Sequence, residues 1–110
     1  MPAMLLRPCS ALEDSIALYR QLGFTLLERG AQHALLHGHA LHLQLLRSPH
    51  TGGQDILQLS LTAQELHTLH SACDLHAHTL ANGASGWLLR DPDGQAIFLR
   101  QRDAAPSALA

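Results

Sequence analysis

The feature that most narrows what this chain can fold into is a repeat of element order on either side of one short break. From Pro49 to Gln54 the residues Pro-His-Thr-Gly-Gly-Gln carry no apolar side chain and cluster chain-breaking types. Before the break, Ala3–Arg7 is a short apolar run closed by Pro8 and reads as a strand. Ser10 is placed as an N-cap, with Glu13 at the capping-box position. Leu12, Ile16, Tyr19 and Leu22 then fall at helical spacing, which predicts a helix over Ala11–Gln21. Gly23 stands where a left-handed C-cap residue is wanted, with Phe24 behind it to pack on the last turn. Three strands are predicted next, Phe24–Glu28, Gln32–His37 and Ala40–Leu46, with turns at Arg29-Gly30 and Gly38.

After the break the same order returns. Ile56–Leu61 alternates as a strand, and Thr62 N-caps a helix reaching about Ala72, with Glu65 completing the capping box. Leu66 and Leu69 give that helix its apolar stripe. Strands are predicted over Leu75–Leu80, Gly86–Arg90 and Gln95–Gln101, the last two joined by the turn Asp91-Pro92-Asp93-Gly94. The reading is α+β: two tandem βαβββ modules with mixed sheets in a single domain spanning 1–110. The first module is 3–47, the linker 48–54, the second module 55–102, and 103–110 a flexible tail.

Composition enters as a set of exclusions. Charged residues are 15% of the 110, the formal net charge is −2, and no basic stripe interrupts the chain, so nucleic acid is not an expected partner. No apolar run approaches the roughly 20 residues of a membrane span, so no membrane partner is expected either. Cys9 and Cys73 are far apart with no signal-like segment before them, which points to reduced thiols and a cytoplasmic location.

Two local patterns resemble a known family. Ser15-Ile16-Ala17-Leu18-Tyr19-Arg20-Gln21-Leu22-Gly23-Phe24 is similar to the helix-one pattern "S-x-x-F-Y-x-x-L-G-F" of the glyoxalase/bleomycin-resistance/dioxygenase (vicinal oxygen chelate) superfamily. Asp91-Pro92-Asp93-Gly94-Gln95-Ala96-Ile97-Phe98-Leu99 resembles its closing hairpin "D-P-D-G-N-x-I-E-L". The resemblance covers residues 3 to 101 and implies sheets that curl, with helices on one face and a cleft on the other. Strand alternation then sorts the side chains. Leu5, Leu41, Leu43, Leu45, Leu57, Leu59, Leu61, Ile97 and Leu99 would face the helices. Met4, Leu6, His42, Gln44, Ile56, Gln58, Ser60, Ala96, Phe98 and Arg100 would face the cleft, joined by Trp87. Mixed apolar and polar linings suit small molecules.

In metal-dependent relatives, the resemblance implies a His or Glu on the first strand of each module and a carboxylate on the last. Carried over, these positions hold Met4, Ile56 and Phe98, with only His42 or Gln44 as a donor. No metal and no other cofactor is therefore expected. His33, His37, His39 and His42 cluster in sequence, but no Asp or Glu lies among them and strand parity separates neighbours; they read as surface residues, as do His67 and His70, while His76 and His78 share one face of a short strand that meets solvent or an interface. Cys9 would need a base such as His42 to act as a nucleophile and reads better as a buried structural thiol. No nucleophile elbow, paired cleft carboxylates or phosphate loop is present.

The expected function is binding of a small molecule, a drug or an aromatic metabolite, in a metal-free cleft of a homodimer, as the resemblance to bleomycin-resistance proteins implies. Arg100 favours a neutral or anionic ligand over a cationic one. The alternative is a metal-dependent lyase, isomerase or dioxygenase of the same superfamily with a shifted site at His42. A third reading is a partner-binding protein with a degenerate cleft.

Overall fold

The computed structural model describes residues 3–49 and 56–102. The expected linker residues 50–54 and the tail 103–110 lie outside them. The order is β1 (Ala3–Cys9), α1 (Leu12–Gln21), β2 (Thr25–Arg29), β3 (His33–Gly38), β4 (Leu41–Arg47), then β5 (Leu57–Leu61), α2 (Ala63–Ala72), β6 (His76–Thr79), β7 (Ser85–Arg90) and β8 (Ala96–Gln101). The fold is α+β with two βαβββ sets, and the repeat extends to topology. One sheet runs β1-β4-β3-β2 and the other β5-β8-β7-β6. In each the first strand pairs parallel to the last, β1 with β4 and β5 with β8. Contacts divide the chain into two compact units, Met1–Asp55 with Arg90–Gln95, and Ile56–Leu89 with Ala96–Ala110.

In the first unit, α1 packs on the sheet through buried Leu12, Ile16 and Tyr19, against buried Leu36, Leu43 and Leu45. Pro8 falls inside β1 rather than ending it. β1 is an edge strand, so a residue without an N–H is tolerated there. The end of α1 follows the sequence expectation: the Gly23 N–H donates to the Arg20 carbonyl and the Phe24 N–H to the Tyr19 carbonyl, both at 3.1 Å, with Gly23 at φ +103°. That is a Schellman ending, and the Phe24 ring meets Tyr19 edge-on at 5.9 Å. The start of α1 corrects it. The N-cap is Ala11, with no side-chain cap. Ser10 turns instead to the β7–β8 turn, its N–H donating to Asp93 Oδ2 at 3.0 Å and its hydroxyl to Asp93 Oδ1.

The hairpin β3–β4 turns through His39 and Ala40, at φ +51° and +61°. Two consecutive left-handed residues are what a tight two-residue hairpin loop needs. Gly38, where the turn was placed, serves a different end: a Cβ there would stand 2.9 Å from the Gly23 carbonyl oxygen and 3.0 Å from Phe24 Cα. The glycine lets the hairpin approach the end of α1.

In the second unit the Thr62 capping box forms in full: Glu65 N–H donates to Thr62 Oγ1 at 3.1 Å, and Thr62 N–H to Glu65 Oε1 at 2.8 Å. Leu66 and Leu69 of α2 and Leu57, Leu59 and Leu61 of β5 are buried. Gly86 has no room for a side chain, since a Cβ would sit 2.3 Å from the Leu99 carbonyl oxygen and 2.9 Å from Phe98 Cζ.

Candidate functional site

Register sorts the faces. On the first sheet Leu43 pairs with Leu5 and Leu36, and Leu45 with Arg7 and Ala34; this is the face toward α1. The opposite face carries Met4 beside His42 and Leu6 beside Gln44. Four predicted site residues are thus brought together as two neighbouring pairs. Met4 and Leu6 are 59% and 56% exposed, high values for large apolar side chains on a sheet. His42 and Gln44 are half-buried.

On the second sheet Gln58 pairs with Phe98 and Ser60 with Arg100, so these four share the face turned from α2. Gln58, Ser60 and Arg100 are exposed, but Phe98 is fully buried, its ring over Gly86 and 6.2 Å from His78. Its phenyl face is occupied by the protein itself. Ile56, expected in β5, stands just before that strand and is 43% exposed. Trp87 corrects the expected sorting. It pairs with Ala77 and lies next to Gly86, on the face opposite Phe98, and its indole meets His70 of α2 edge-on at 5.4 Å. A glycine neighbour with no side chain hides parity in sequence, which is why alternation misplaced it.

Trp87 and Arg100, though on opposite faces, both border one cavity. A cavity of about 390 Å³ opens at the β6–β7–β8 end of the second unit, lined by His78, Thr79, Ser85, Trp87, Arg100 and Gln101 among others. The Thr79 and Ser85 hydroxyls stand 3.3 Å apart at its wall. Arg100, His78, Thr79, Ser85 and Trp87 are residue types that suit a small planar molecule with a neutral or negative polar end. Thr79 and Ser85 were not singled out from sequence, because a four-residue strand gives alternation nothing to repeat; their facing positions across the Leu80–Ala84 turn were the available signal.

The polar core of the first unit is a separate feature. Asp91, read from sequence only as a turn residue, is buried, and its Oδ1 accepts the N–H groups of Asp93 and Gln95 at 2.9 and 2.8 Å. Its Oδ2 accepts the Tyr19 hydroxyl at 3.3 Å and lies 3.9 Å from Arg7 Nε, also buried. Burial, opposed in part by the Arg7 charge, holds the Tyr19 phenol well above its ordinary range. Cys9 is 1% exposed and its thiol is pushed up by burial, with the Ser15 hydroxyl lowering it in part. Cys9 lies on the α1 face and His42 on the other, so His42 cannot activate it. Cys9 and Cys73 are not joined in a disulfide.

Carboxylates do reach the histidines, against the sequence expectation: Glu28 Oε2 stands 3.1 Å from His33 Nε2, and Asp74 Oδ2 3.4 Å from His76 Nε2. Among the described residues no group of three or more His, Cys, Asp or Glu gathers as a metal site. The four positions that the resemblance carries over hold a thioether (Met4), an aliphatic chain (Ile56), a buried phenyl ring (Phe98) and either the His42 imidazole or the Gln44 amide. That donor set does not fit the hard divalent ion such sites take.

No family model and no curated protein matches the chain. Solved structures do. A bleomycin-binding protein, solved with bleomycin, is 22% identical with a TM-score of 0.74, covering 94% of this chain and 99% of that one. The chain has the glyoxalase/bleomycin-resistance fold. The bleomycin-resistance determinant of transposon Tn5 superposes with a TM-score of 0.73 at 22% identity, over 94% of this chain and 99% of that one. Lactoylglutathione lyase from Agrobacterium tumefaciens gives 0.73 at 15% identity, over 92% of each chain. A bleomycin-binding protein, a bleomycin-resistance determinant and a lyase thus share this fold with the chain, so function must be argued from the site. Among the described residues no helix is long and apolar enough to cross a membrane.

Proposed function

We propose that the protein is a cytoplasmic, homodimeric small-molecule-binding protein that works without its superfamily's metal centre and takes an uncharged or anionic aromatic compound. The observation that carries this reading is the cavity on the second unit bordered by Trp87, Arg100, His78, Thr79 and Ser85. An indole supplies flat apolar surface, and a guanidinium on a planar anion adds charge-assisted hydrogen bonds that a neutral isostere lacks. Met4, Leu6, His42 and Gln44 on the first sheet, and Gln58 and Ser60 on the second, offer further mixed polar and apolar contact. Ile56 and Phe98 are proposed as ligand residues of the second unit, with Phe98 acting as a buried support. A drug is one possible natural cargo, as for the bleomycin-binding protein of the same fold.

The test is a thermal-shift and calorimetry panel of aromatic carboxylates against their amides. Carboxylates are expected to stabilise the protein more than amides, and Arg100→Ala to remove that difference at a cost of about tenfold in affinity. A panel with no binder, or one whose binders ignore Arg100→Ala and Trp87→Ala alike, defeats the reading. The metal-dependent enzyme alternative needs at least two further donors beside His42, and the register supplies none at the carried-over positions.

A further inference from the structure

The face of the first sheet turned from α1 holds an arrangement of donors that the fold itself does not require. Met4 on β1 is the register partner of His42 on β4, and His42 is the partner of His37 on β3. One thioether and two imidazoles therefore stand side by side on three adjacent strands, at one level and on one face. Gly38 and Leu41 flank the two-residue turn, so His37 and His42 form the next, non-hydrogen-bonded pair, where side chains approach most closely. Their rings are 4.7 Å apart between centroids and tilted by 46°. His37 and Met4 are exposed and His42 half-buried, so a solute reaches all three. Unlike His33 and His76, neither imidazole has a carboxylate against it among the described residues. The level beside them is Leu6, Gln44 and Leu35, a largely apolar flank. Glu28, paired with Leu35, is the nearby carboxylate, and it is engaged by His33.

We propose that Met4, His37 and His42 form a binding site for monovalent copper. A thioether is a poor donor to zinc or other harder divalent ions but a good one to Cu(I), and imidazole serves copper equally. Cu(I) accepts two or three ligands without a completing carboxylate or water. The same Met4 that unfits the superfamily's divalent centre is what suits this one. No change in copper oxidation state is part of the proposal, and it does not rest on the ligand cavity of the second unit.

The experiment is anaerobic titration of tag-free protein with Cu(I) in competition with a chromogenic chelator, beside parallel zinc titrations. One equivalent of Cu(I) is expected to bind. His37→Ala and His42→Ala should each weaken it on the order of 100-fold, the upper end of what losing even an outer-shell partner costs a metal site. Met4→Leu, which keeps the side chain's bulk, should weaken Cu(I) about tenfold and leave zinc affinity unchanged. Copper-edge X-ray absorption should show one sulfur with two imidazole nitrogens, and Cys73→Ser should retain both affinity and spectrum. Thermal unfolding without copper checks that each variant is folded; if one histidine variant is not, the other and Met4→Leu decide. Substoichiometric binding, loss of copper in Cys73→Ser, or unchanged affinity in Met4→Leu would overturn the proposal.

Discussion

Cys9 and Tyr19 show how single residues in this chain are set by burial. Both keep their protons more tightly in the native protein than in the unfolded chain, because ionising either would place a charge in a poorly solvated interior. The stabilisation this brings is therefore complete below the ordinary thiol value of 9.0 and is lost as the pH rises from there toward the raised native values. The tyrosine follows later, from its ordinary 10.0 upward. Urea unfolding repeated from about pH 7 to about pH 10 should show a midpoint that falls at the alkaline end. Cys9→Ala should lessen the earlier part of that fall, to which the Cys73 thiol, also raised by burial, contributes, and leave the later part. An equally steep fall in Cys9→Ala would show that the thiol is not its source. Sequence marked Cys9 as structural but gave no sign of the Asp91, Tyr19 and Arg7 grouping, since those residues lie far apart in the chain and meet only through folding.

At the scale of elements, the two helices contrast. α2 begins at a full capping box that its sequence announces, because Thr62 and Glu65 satisfy each other's backbone within one turn. The same signature at Ser10 and Glu13 is not realised: Ser10 is drawn to Asp93, and Glu13 pairs with Arg29 Nη2 at 2.7 Å. A local signal holds where no distant partner competes for it. The β3–β4 hairpin carries a local misfit of another kind. Ala40 adopts a left-handed conformation at φ +61° while exposed. That conformation costs a residue with a Cβ about 1 kcal/mol relative to glycine. Ala40→Gly should raise stability by about that amount, less the extra freedom glycine has in the unfolded chain. Chemical denaturation reads the difference, and a destabilised variant would show that the turn is not strained. Since the turn sets His37 against His42, copper affinity in Ala40→Gly should be unchanged or better.

For the whole molecule, the exposed apolar residues are the main clue. Met4, Leu6 and Leu46 stand on the first sheet's face turned from α1, at 59%, 56% and 40% exposure. In the proposed dimer Leu6 and Leu46 are the apolar side chains that a partner would cover. Sedimentation at micromolar concentration should give a dimer, and Leu6→Glu should shift it to monomer while the chain stays folded. A wild-type monomer under those conditions removes the dimer from the proposed function. What the sequence determined by itself was the tandem βαβββ order, because hydrophobic period, caps and turn residues are local properties. It also placed Met4, Leu6, His42 and Gln44 on one face, since alternation is intrinsic to a strand. Tertiary structure alone decided that Trp87 turns toward α2, that Phe98 is sealed over Gly86, and that His37 stands against His42 beside Met4. Those outcomes depend on which strands pair and in what register, and register is fixed between segments distant in the chain.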